Sequence, residues 1–431
     1  MILNKNNIKL LFSYGVGIFP LFLLIGPLVS ELFLILIIIF ATIAIFKDKQ
    51  FVYFNRYLVF FGLFYISTVF STLINFYNFD YTKGALFYFR IPLFAFSIWF
   101  VLSNSNIFNK RIVLFYTLFF SLIIFDAIFQ YFTGYNIIGN EILRNRISSF
   151  FSEELILGGF FLRLLPVFLV FLIMSGLIVK DKINIFYSIL ISFICLIIYL
   201  SGERTSFFLL ALFFGLIFIS IKDLRKFIIV VGIISVFLSF TIPYLKNSEE
   251  SNPATRMFKK SYEQIIGRGE EQYEGHKKKF FNKIYAFSHD HHGHYMLSIR
   301  IIKDYPFFGT GIKGFRYLCR NKIYILEKND GCSTHPHNTY FQIFTSNGFV
   351  GFAFLLFAFF YVMRGIFKSK KKINFNNNFN KDEVSKIILL VGIFINMWPL
   401  IPSGNFFNNW LSMLYFYPIG FYLYFRFKNE K

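Results

Sequence analysis

Charged residues are scarce in this sequence: Asp, Glu, Lys and Arg make up 16 % of its 431 residues, against about 25 % in a typical soluble domain. Apolar residues make up 56 %, Phe alone accounts for 67 residues, and the mean hydropathy is +0.57. A water-soluble domain of this length cannot bury so much apolar surface, and the same numbers exclude a disordered chain. With only three cysteines, a small fold built on disulfides is excluded as well. The composition therefore predicts an all-α integral membrane protein.

The apolar residues fall into twelve runs, each close to the roughly 20 residues that a membrane-spanning helix needs. We predict about 12 transmembrane helices, with one long extracytoplasmic loop between helices 9 and 10. Residues 1–245 would hold helices 1–9, 246–337 the loop, and 338–431 helices 10–12. No internal repeat is found, and we expect no cleavable signal peptide, because no small-residue cleavage site follows the N-terminal basic residues. The predicted spans are 9–26, 28–46, 57–77, 84–102, 111–133, 157–179, 183–201, 205–221, 227–245, 338–363, 385–401 and 409–427.

Basic residues predict the orientation of these helices. A net charge of +21 also suits nucleic-acid binding, but Lys and Arg collect in the cytoplasmic loops of membrane proteins, so we expect no nucleic-acid partner. If the N-terminus is cytoplasmic, the cytoplasmic segments hold 22 of the 44 basic residues. This asymmetry predicts that both termini are cytoplasmic and that the long loop lies outside. The short loops on the outer side hold only Lys83, Arg144, Arg146 and Arg204.

All seven histidines lie in the long loop, and none lies in a predicted helix or a cytoplasmic segment. Because imidazole changes charge near neutral pH, this distribution favours chemistry in the loop. An alternative is that His avoids lipid, which explains the empty helices but not the empty cytoplasmic segments. The seven are His276, His289, His291, His292, His294, His335 and His337.

The most specific motif is His337-Asn338, followed after nine residues by Gly348-Phe349-Val350-Gly351. His337 stands where the long loop re-enters the membrane. The two glycines are spaced so that a neighbouring helix can pack closely against them. A structural alternative is that His337 caps the following helix, and the pattern alone supports the two interpretations equally.

Arginines mark further candidate positions. Arg204 lies in a short polar turn between two predicted helices, on the outer side. Arg300 belongs to a predicted short helix around 296–302 that lies along the membrane surface and ends at Pro306. Arg146 lies in the loop between helices 5 and 6, from which its side chain can reach over the other candidate residues.

Two arginines, Arg90 and Arg163, fall inside predicted helices. An unpaired charge in lipid is costly, so such a residue is either functional or paired with a carboxylate. The carboxylates available for pairing are Asp126, Glu153 and Glu154.

The segment 289–294 contains four histidines and resembles a metal site in composition. Zinc needs three or four ligands in a tetrahedral array, and this segment, which we expect to be a flexible loop, lacks the helical i, i+4 signature. We therefore predict no metal and no cofactor, and a polar loop that binds sugar or pyrophosphate.

Cys319 and Cys332 lie just before the last two histidines, and an oxidising compartment favours a disulfide between them. Cys195 falls in a predicted helix.

The pattern His-Asn-x9-Gly-x-x-Gly resembles the signature of the O-antigen ligase and O-antigen polymerase superfamily, which are bacterial membrane glycosyltransferases acting on undecaprenyl pyrophosphate-linked glycans. The resemblance runs from about the fifth predicted helix to the C-terminus, and the twelve spans and the long loop agree with it. Further segments that resemble family landmarks are 126–139, 146–166, 202–208 and 306–311.

The resemblance implies transfer of a glycan from undecaprenyl pyrophosphate to a hydroxyl of the lipid A-core in lipopolysaccharide biosynthesis, with inversion and without a metal. By position in the motifs, His337 corresponds to the general base, and Arg204 and Arg300 to the arginines that bind pyrophosphate. Asn347 stands where an acidic residue is often seen. The predicted substrate-binding residues are Asn338, Arg90, Arg146, His335, Gly348 and Gly351.

The implied location is the bacterial inner membrane, with the active site on the periplasmic face and membrane lipid as a partner. One alternative is a polymerase of the same superfamily, whose acceptor is the end of another glycan repeat. A second alternative, a multi-span solute transporter, is disfavoured because the sequence lacks the internal repeats typical of that class. A metal-binding sensor loop is a third and weaker alternative.

Overall fold

The computed structural model describes residues 5–75, 79–180, 182–246, 253, 255–265, 286–324, 331–375 and 379–428. Within these ranges the chain is helical and contains no β-strand. The α-helices are α1 (Lys5–Ile25), α2 (Pro27–Lys47), α3 (Arg56–Ile74), α4 (Phe79–Leu86), α5 (Arg90–Ser103), α6 (Lys110–Thr133), α7 (Leu157–Met174), α8 (Ile185–Leu200), α9 (Arg204–Ser220), α10 (Arg225–Lys246), α11 (Lys260–Ile265), α12 (His289–Asp304), α13 (Gly314–Leu318), α14 (Thr339–Phe375), α15 (Lys381–Asn396) and α16 (Asn409–Phe427).

Each of the twelve predicted spans overlaps one of these helices. Among the described residues, eight helical stretches are long and apolar enough to cross a membrane. Helices α8 and α9 are apolar but only 16 and 17 residues long. An all-helical, multi-pass membrane protein is thereby supported, whereas the count of twelve spans stays a prediction. The eight stretches are Asn7–Ile25, Pro27–Lys47, Arg56–Ile74, Thr82–Ser103, Lys110–Thr133, Leu157–Met174, Lys222–Lys246 and Thr339–Lys371.

Helix α7 lies at the centre of the bundle, and every residue from Leu157 to Ile173 is buried except Arg163, which is partly buried. It packs on α15 and α16, and α16 packs on α5. A Cβ atom at Gly392 of α15 would lie 2.5 Å from Pro166 of α7. Small residues at such positions let helix backbones approach, which is a common source of stability in a membrane.

The charged residue Arg90 is paired inside the bundle. Its Nε and Nη2 atoms each donate to a carboxylate oxygen of Glu31 on α2, both at 3.0 Å. The predicted partners Asp126, Glu153 and Glu154 are therefore wrong for this arginine. A bidentate pair satisfies both charges where lipid offers no solvation.

The expected partner Asp126 instead organises the connection between α6 and α7. Its carboxylate accepts the backbone N–H of Ile137 at 2.9 Å and the hydroxyl of Ser149 at 2.5 Å. The other intrahelical arginine, Arg163, donates from Nη1 to the carbonyl oxygen of Gly159 at 2.8 Å.

A kink interrupts α14 at Gly348, whose φ of 62° is left-handed. The loop that follows α12 docks into this kink, where the N–H of Phe349 donates to the carbonyl oxygen of Pro306 at 2.8 Å. A Cβ atom at Gly348 would lie 2.2 Å from the carbonyl group of Phe307, and one at Gly309 would lie 2.5 Å from the nitrogen of Gly348. The two glycines thus let two backbones touch.

This packing corrects the predicted role of the motif glycines as contacts for a neighbouring helix. The partner of Gly348 is a loop, and a Cβ atom at Gly351 would meet the Cβ of Asn347 in the same helix at 2.2 Å. The Asn347 side chain is buried and donates to the hydroxyl oxygen of Thr68 on α3 at 2.7 Å. The kink is therefore held from both sides.

Helix α12 begins at His289 and ends at Asp304, shortly before Pro306. The hydroxyl oxygen of Ser288 caps it by accepting the N–H of His291 at 3.3 Å. The short helix predicted around 296–302 is present. The expectation of a flexible loop at 289–294 is wrong, because these residues form the first turns of the same helix.

Candidate functional site

Four histidines come together where α12 passes the segment that precedes α14. The ring centroid of His337 lies 4.0 Å from that of His335, 5.0 Å from that of His294 and 5.8 Å from that of His291. We call these four residues the histidine cluster. Two of them come from α12 and two from the HN motif segment, so residues far apart in sequence form one group. His276 lies outside the described residues.

The HN motif is anchored by Asn338, which caps α14. Its side-chain oxygen accepts the N–H groups of Tyr340 and Phe341, and its side-chain nitrogen donates to the carbonyl oxygens of Pro399 and Ile401 at 2.9 and 3.0 Å. The structure therefore gives the cap to Asn338 and not to His337. These contacts use the whole amide group, and they favour a positioning role over the predicted substrate-binding role.

His337 has a left-handed backbone, with a φ of 54°. Its carbonyl oxygen accepts the N–H of Ser403, in the α15–α16 connection, at 2.8 Å. This conformation is energetically unfavourable for a residue other than glycine, and backbone strain of this kind is common at functional sites. The fold thus holds the backbone of His337 in one orientation, two residues before α14 begins at Thr339.

Helix α12 is held against the motif segment by close backbone packing. A Cβ atom at Gly331 would lie 2.3 Å from the carbonyl oxygen of Gly293. The Nδ1 atom of His294 lies 3.0 Å from the carbonyl oxygen of Gly331, which can only accept, so this nitrogen carries the proton. The Nε2 atom of His294 is then unprotonated when the ring is neutral.

Cys319 and Cys332 are joined by a disulfide, with Cα atoms 4.9 Å apart and a sequence separation of 13. The bridge ties the end of α13 to the segment that leads to His335. In the chain-entropy model a loop of about 14 residues contributes about 3 kcal/mol.

We expect Cys332→Ser to destabilise the segment before α14 by about 3 kcal/mol and to lower activity several-fold, because the cluster loses a constraint on two of its members. Thermal unfolding and peptide mass mapping under non-reducing conditions measure this, with Cys195→Ser as the matched control. Free thiols at both positions in protein kept oxidised would contradict the prediction.

Burial and mutual repulsion keep three members of the cluster, His291, His335 and His337, neutral at pH 7. Burial, followed by the charges of His335, His294 and His291, lowers the pKa of His337 to about 3. Burial also lowers the pKa of His335 and of His291 to about 4. His337 is therefore in the neutral form that can accept a proton, and its lowered pKa makes it a weaker base than a free imidazole.

These shifts predict a stability that depends on pH. In the unfolded chain the same imidazoles titrate near 6.5, so between about pH 4 and 6.5 the unfolded state binds more protons and stability falls as the pH is lowered. We expect the thermal midpoint to be lower at pH 5 than at pH 7. The variant His335→Gln should show a smaller decrease than the wild type, and equal decreases would contradict the assignment.

Arg204 begins α9, and its Nη1 atom donates to Ser261 and Gln264 of α11 at 3.0 and 2.7 Å. Its positive charge is the smallest of the causes that lower the pKa of His291, so the guanidinium acts on the histidine cluster through its charge. Arg300 is exposed on α12. It lies six residues beyond His294, which is about 9 Å along the helix axis.

The other predicted substrate-binding residues have structural partners. Arg90 pairs with Glu31. Arg146 donates from Nε to the carbonyl oxygen of Ser201 at 3.0 Å and from Nη2 to that of Leu155 at 3.2 Å. For these residues and for the motif glycines, a contact with substrate stays a prediction. The described ion pair and hydrogen bonds account for the two arginines, and close packing accounts for the glycines.

Sequence reasoning missed three contributors to the site. His291 and His294 were part of the histidine-rich segment, and their i, i+3 spacing is the signal that would have placed them on one face of α12. Ser403 carries no sequence signal, because its contribution is a backbone N–H. Among the described residues, no group of three or more His, Cys, Asp or Glu side chains is arranged to hold a metal ion.

An apolar cavity of about 600 Å³ lies between α3, α14, α15 and α16. It reaches from Thr339, next to the HN motif, to Tyr57 and Tyr361 towards the other end of α14. Phe354 and Phe416 are among the aromatic residues that line it. A cavity with this lining suits a hydrocarbon chain.

Comparison with known proteins adds one match. Residues 187–356 match the family model described as O-antigen ligase, a range that includes Arg204, Arg300, the histidine cluster and both motif glycines. No curated protein matches the chain. Over residues 187–356 the chain is therefore similar to the O-antigen ligase family.

Proposed function

We propose that this protein transfers a glycan from undecaprenyl pyrophosphate to a hydroxyl group of the lipid A-core in lipopolysaccharide biosynthesis. The observation that carries the proposal is the position of His337, in the histidine cluster and within the residues that match the O-antigen ligase family. A fold by itself does not indicate function, whereas a candidate base in a defined cluster of polar side chains does.

The proposed reaction breaks the bond between the anomeric carbon and the pyrophosphate oxygen. The acceptor hydroxyl oxygen attacks the anomeric carbon from the opposite side, its proton goes to the imidazole of His337, and the pyrophosphate leaves with the bonding electrons. The configuration at the anomeric carbon inverts. General-base catalysis of this kind contributes about 10²–10⁴-fold.

The leaving pyrophosphate needs positive charge. A guanidinium stays protonated and binds phosphate oxygens in a planar, bidentate manner. Arg204, near the histidine cluster, and the exposed Arg300 are the residues we propose for this role. A well-placed donor of this kind is worth roughly 3–4 kcal/mol in the transition state, and the steps use no metal ion or cofactor.

The cavity between α3, α14, α15 and α16 supports a lipid-linked donor. It begins beside Thr339, two residues after His337, and its lining is apolar. A polyprenyl chain inserted there would leave the pyrophosphate near the histidine cluster, and membrane lipid would occupy the cavity in the absence of donor.

The proposed location is the bacterial inner membrane, with both termini in the cytoplasm and the histidine cluster on the periplasmic face. We expect reporter fusions after Lys226 to read cytoplasmic and fusions near Lys260 to read periplasmic. The reason is that the basic residues lie mainly in the loops assigned to the cytoplasm, on the side opposite to the long loop. A phosphatase and a fluorescent reporter give opposite signals at the two positions. Reversed signals at either position would overturn the mechanism, since the lipid-linked donor would face away from His337.

The test of function is lipopolysaccharide gel profiling after deletion of the gene, with a plasmid copy as control. Loss of all ladder bands with accumulation of lipid-linked polymer is the result expected for a ligase. A core that carries one repeat would instead identify a polymerase of the same superfamily. An unchanged profile, together with no transfer by the purified protein, would overturn the proposal.

A further inference from the structure

The carboxylate of Glu203, one residue before Arg204, is held by three hydrogen bonds. The N–H groups of Gly158 and Gly159 donate to its two oxygens at 2.7 and 2.9 Å. The hydroxyl of Ser206 donates to the second oxygen at 2.8 Å. The side chain is only 12 % exposed. Such a carboxylate has essentially one orientation.

The two glycines belong to the first turn of α7, where N–H groups have no partner within the helix. The α8–α9 turn therefore supplies the cap for a different helix, and the negative charge also suits the positive end of α7. A side chain at Gly158 would be excluded, since a Cβ atom there would lie 2.6 Å from the Ser201 hydroxyl and 3.2 Å from the Glu203 carboxyl carbon.

A cation completes this arrangement. Nη2 of Arg146 lies 3.9 Å from a carboxylate oxygen of Glu203, while its Nε donates to the carbonyl oxygen of Ser201. Arg146 thus holds both the acidic side chain and the backbone of the turn. The segments 146–166 and 202–208 thus form one interface.

We propose that Glu203 is a positioning residue that fixes the α8–α9 turn to α7 and thereby aims the Arg204 guanidinium at the site. The proposal rests on the proposed function, in which Arg204 binds the pyrophosphate of the donor. Arg204 is exposed, and its described hydrogen-bond partners are on α11, so the direction of its side chain depends on where α9 begins.

The test compares Glu203→Gln, Arg204→Ala and the double variant, with Glu154→Gln as the matched control, because Glu154 is an exposed acid in the neighbouring loop. KM and kcat are measured with a synthetic polyprenyl pyrophosphate glycan. We expect Glu203→Gln to raise the donor KM about 10-fold, because an amide cannot accept both N–H groups. The double variant should be no worse than Arg204→Ala alone, within about twofold.

Hydrogen–deuterium exchange gives a readout that does not depend on activity. We expect faster exchange at 157–160 and 203–207 in Glu203→Gln, and no change in the control. If Glu203→Gln fails to fold, Ser206→Ala removes one of the three donors, and a KM increase of about twofold is expected.

The inference is overturned if Glu203→Gln leaves exchange or the donor KM unchanged while Arg204→Ala raises the KM. It is also overturned if the two single effects multiply in the double variant, since Glu203 would then act independently of Arg204. If wild-type protein transfers no glycan, the proposed function fails, and the positioning of the turn by Glu203 is decided by the exchange data.

Discussion

His337→Ala is expected to lower the rate of glycan transfer by about 10²–10⁴-fold, the usual contribution of a general base, with little change in donor affinity. The imidazole acts on the proton of the acceptor, whereas the donor is bound through its pyrophosphate and its lipid chain. The loss should therefore fall on kcat, with the donor KM within a few fold of the wild type.

Turnover is measured with purified protein, a synthetic polyprenyl pyrophosphate glycan and a core acceptor. His292→Ala is the matched control, because His292 lies on the same helix as His291 and His294 but outside the histidine cluster. Near wild-type turnover of His337→Ala would identify the motif histidine as structural. If EDTA abolishes wild-type activity and zinc restores it, catalysis depends on a metal ion and the proposed metal-free mechanism is wrong.

Gly348→Ala is expected to destabilise the protein by about 2–6 kcal/mol. Strain at a left-handed position costs about 1–3 kcal/mol for a residue other than glycine, and forcing a methyl group into a filled space costs about 1–3 kcal/mol more. The new Cβ atom would lie 2.2 Å from the carbonyl group of Phe307, which is backbone and has little freedom to move. We expect the loop after α12 to separate from the kink and activity to be lost with it.

Thermal unfolding and the yield of monodisperse protein in detergent measure this effect. Gly232→Ala is the control, since a Cβ atom at Gly232 on α10 would meet nothing within 4 Å, and Ala in place of an exposed helical Gly is neutral or slightly stabilising. Gly309→Ala should resemble Gly348→Ala, because its φ is +68° and its Cβ would lie 2.5 Å from the backbone of the kink. A midpoint for Gly348→Ala equal to that of the control would contradict this account of the kink.

Local patterns in the sequence were sufficient for the helices. The break between α1 and α2 lies at Gly26-Pro27, as predicted, because Gly26 adopts a φ of 145° and proline is well tolerated at the first position of a helix. Apolar runs of about 20 residues predict helices in lipid, since every backbone group must then be paired within its own segment. The same local patterns predicted the part of α12 around 296–302, but they did not predict its first turns at 289–294.

The candidate site could be predicted in part. His337 and Arg204 stand out by residue type and by position at the ends of apolar runs, and the structure places His337 beside His291, whose pKa the charge of Arg204 helps to lower. The partners of Arg90 and Arg146 could not be read from the sequence, because pairing depends on which helices are neighbours. Glu203 was not predicted for the same reason. Its hydrogen-bond donors include the backbone N–H groups of Gly158 and Gly159, and a backbone N–H group leaves no signal in the sequence.

By itself the sequence determined the helical elements, the excess of basic residues in alternate loops and the concentration of histidines in one loop. These properties are set by composition and by residues close in the chain. Only the tertiary structure decided that His291 and His294 join His337, that Gly348 receives the loop of Pro306, and that Glu203 caps α7. Each of these contacts brings together segments separated by 40 or more residues, and such closures are determined by the packing of the whole bundle, because no local interaction repays their entropy.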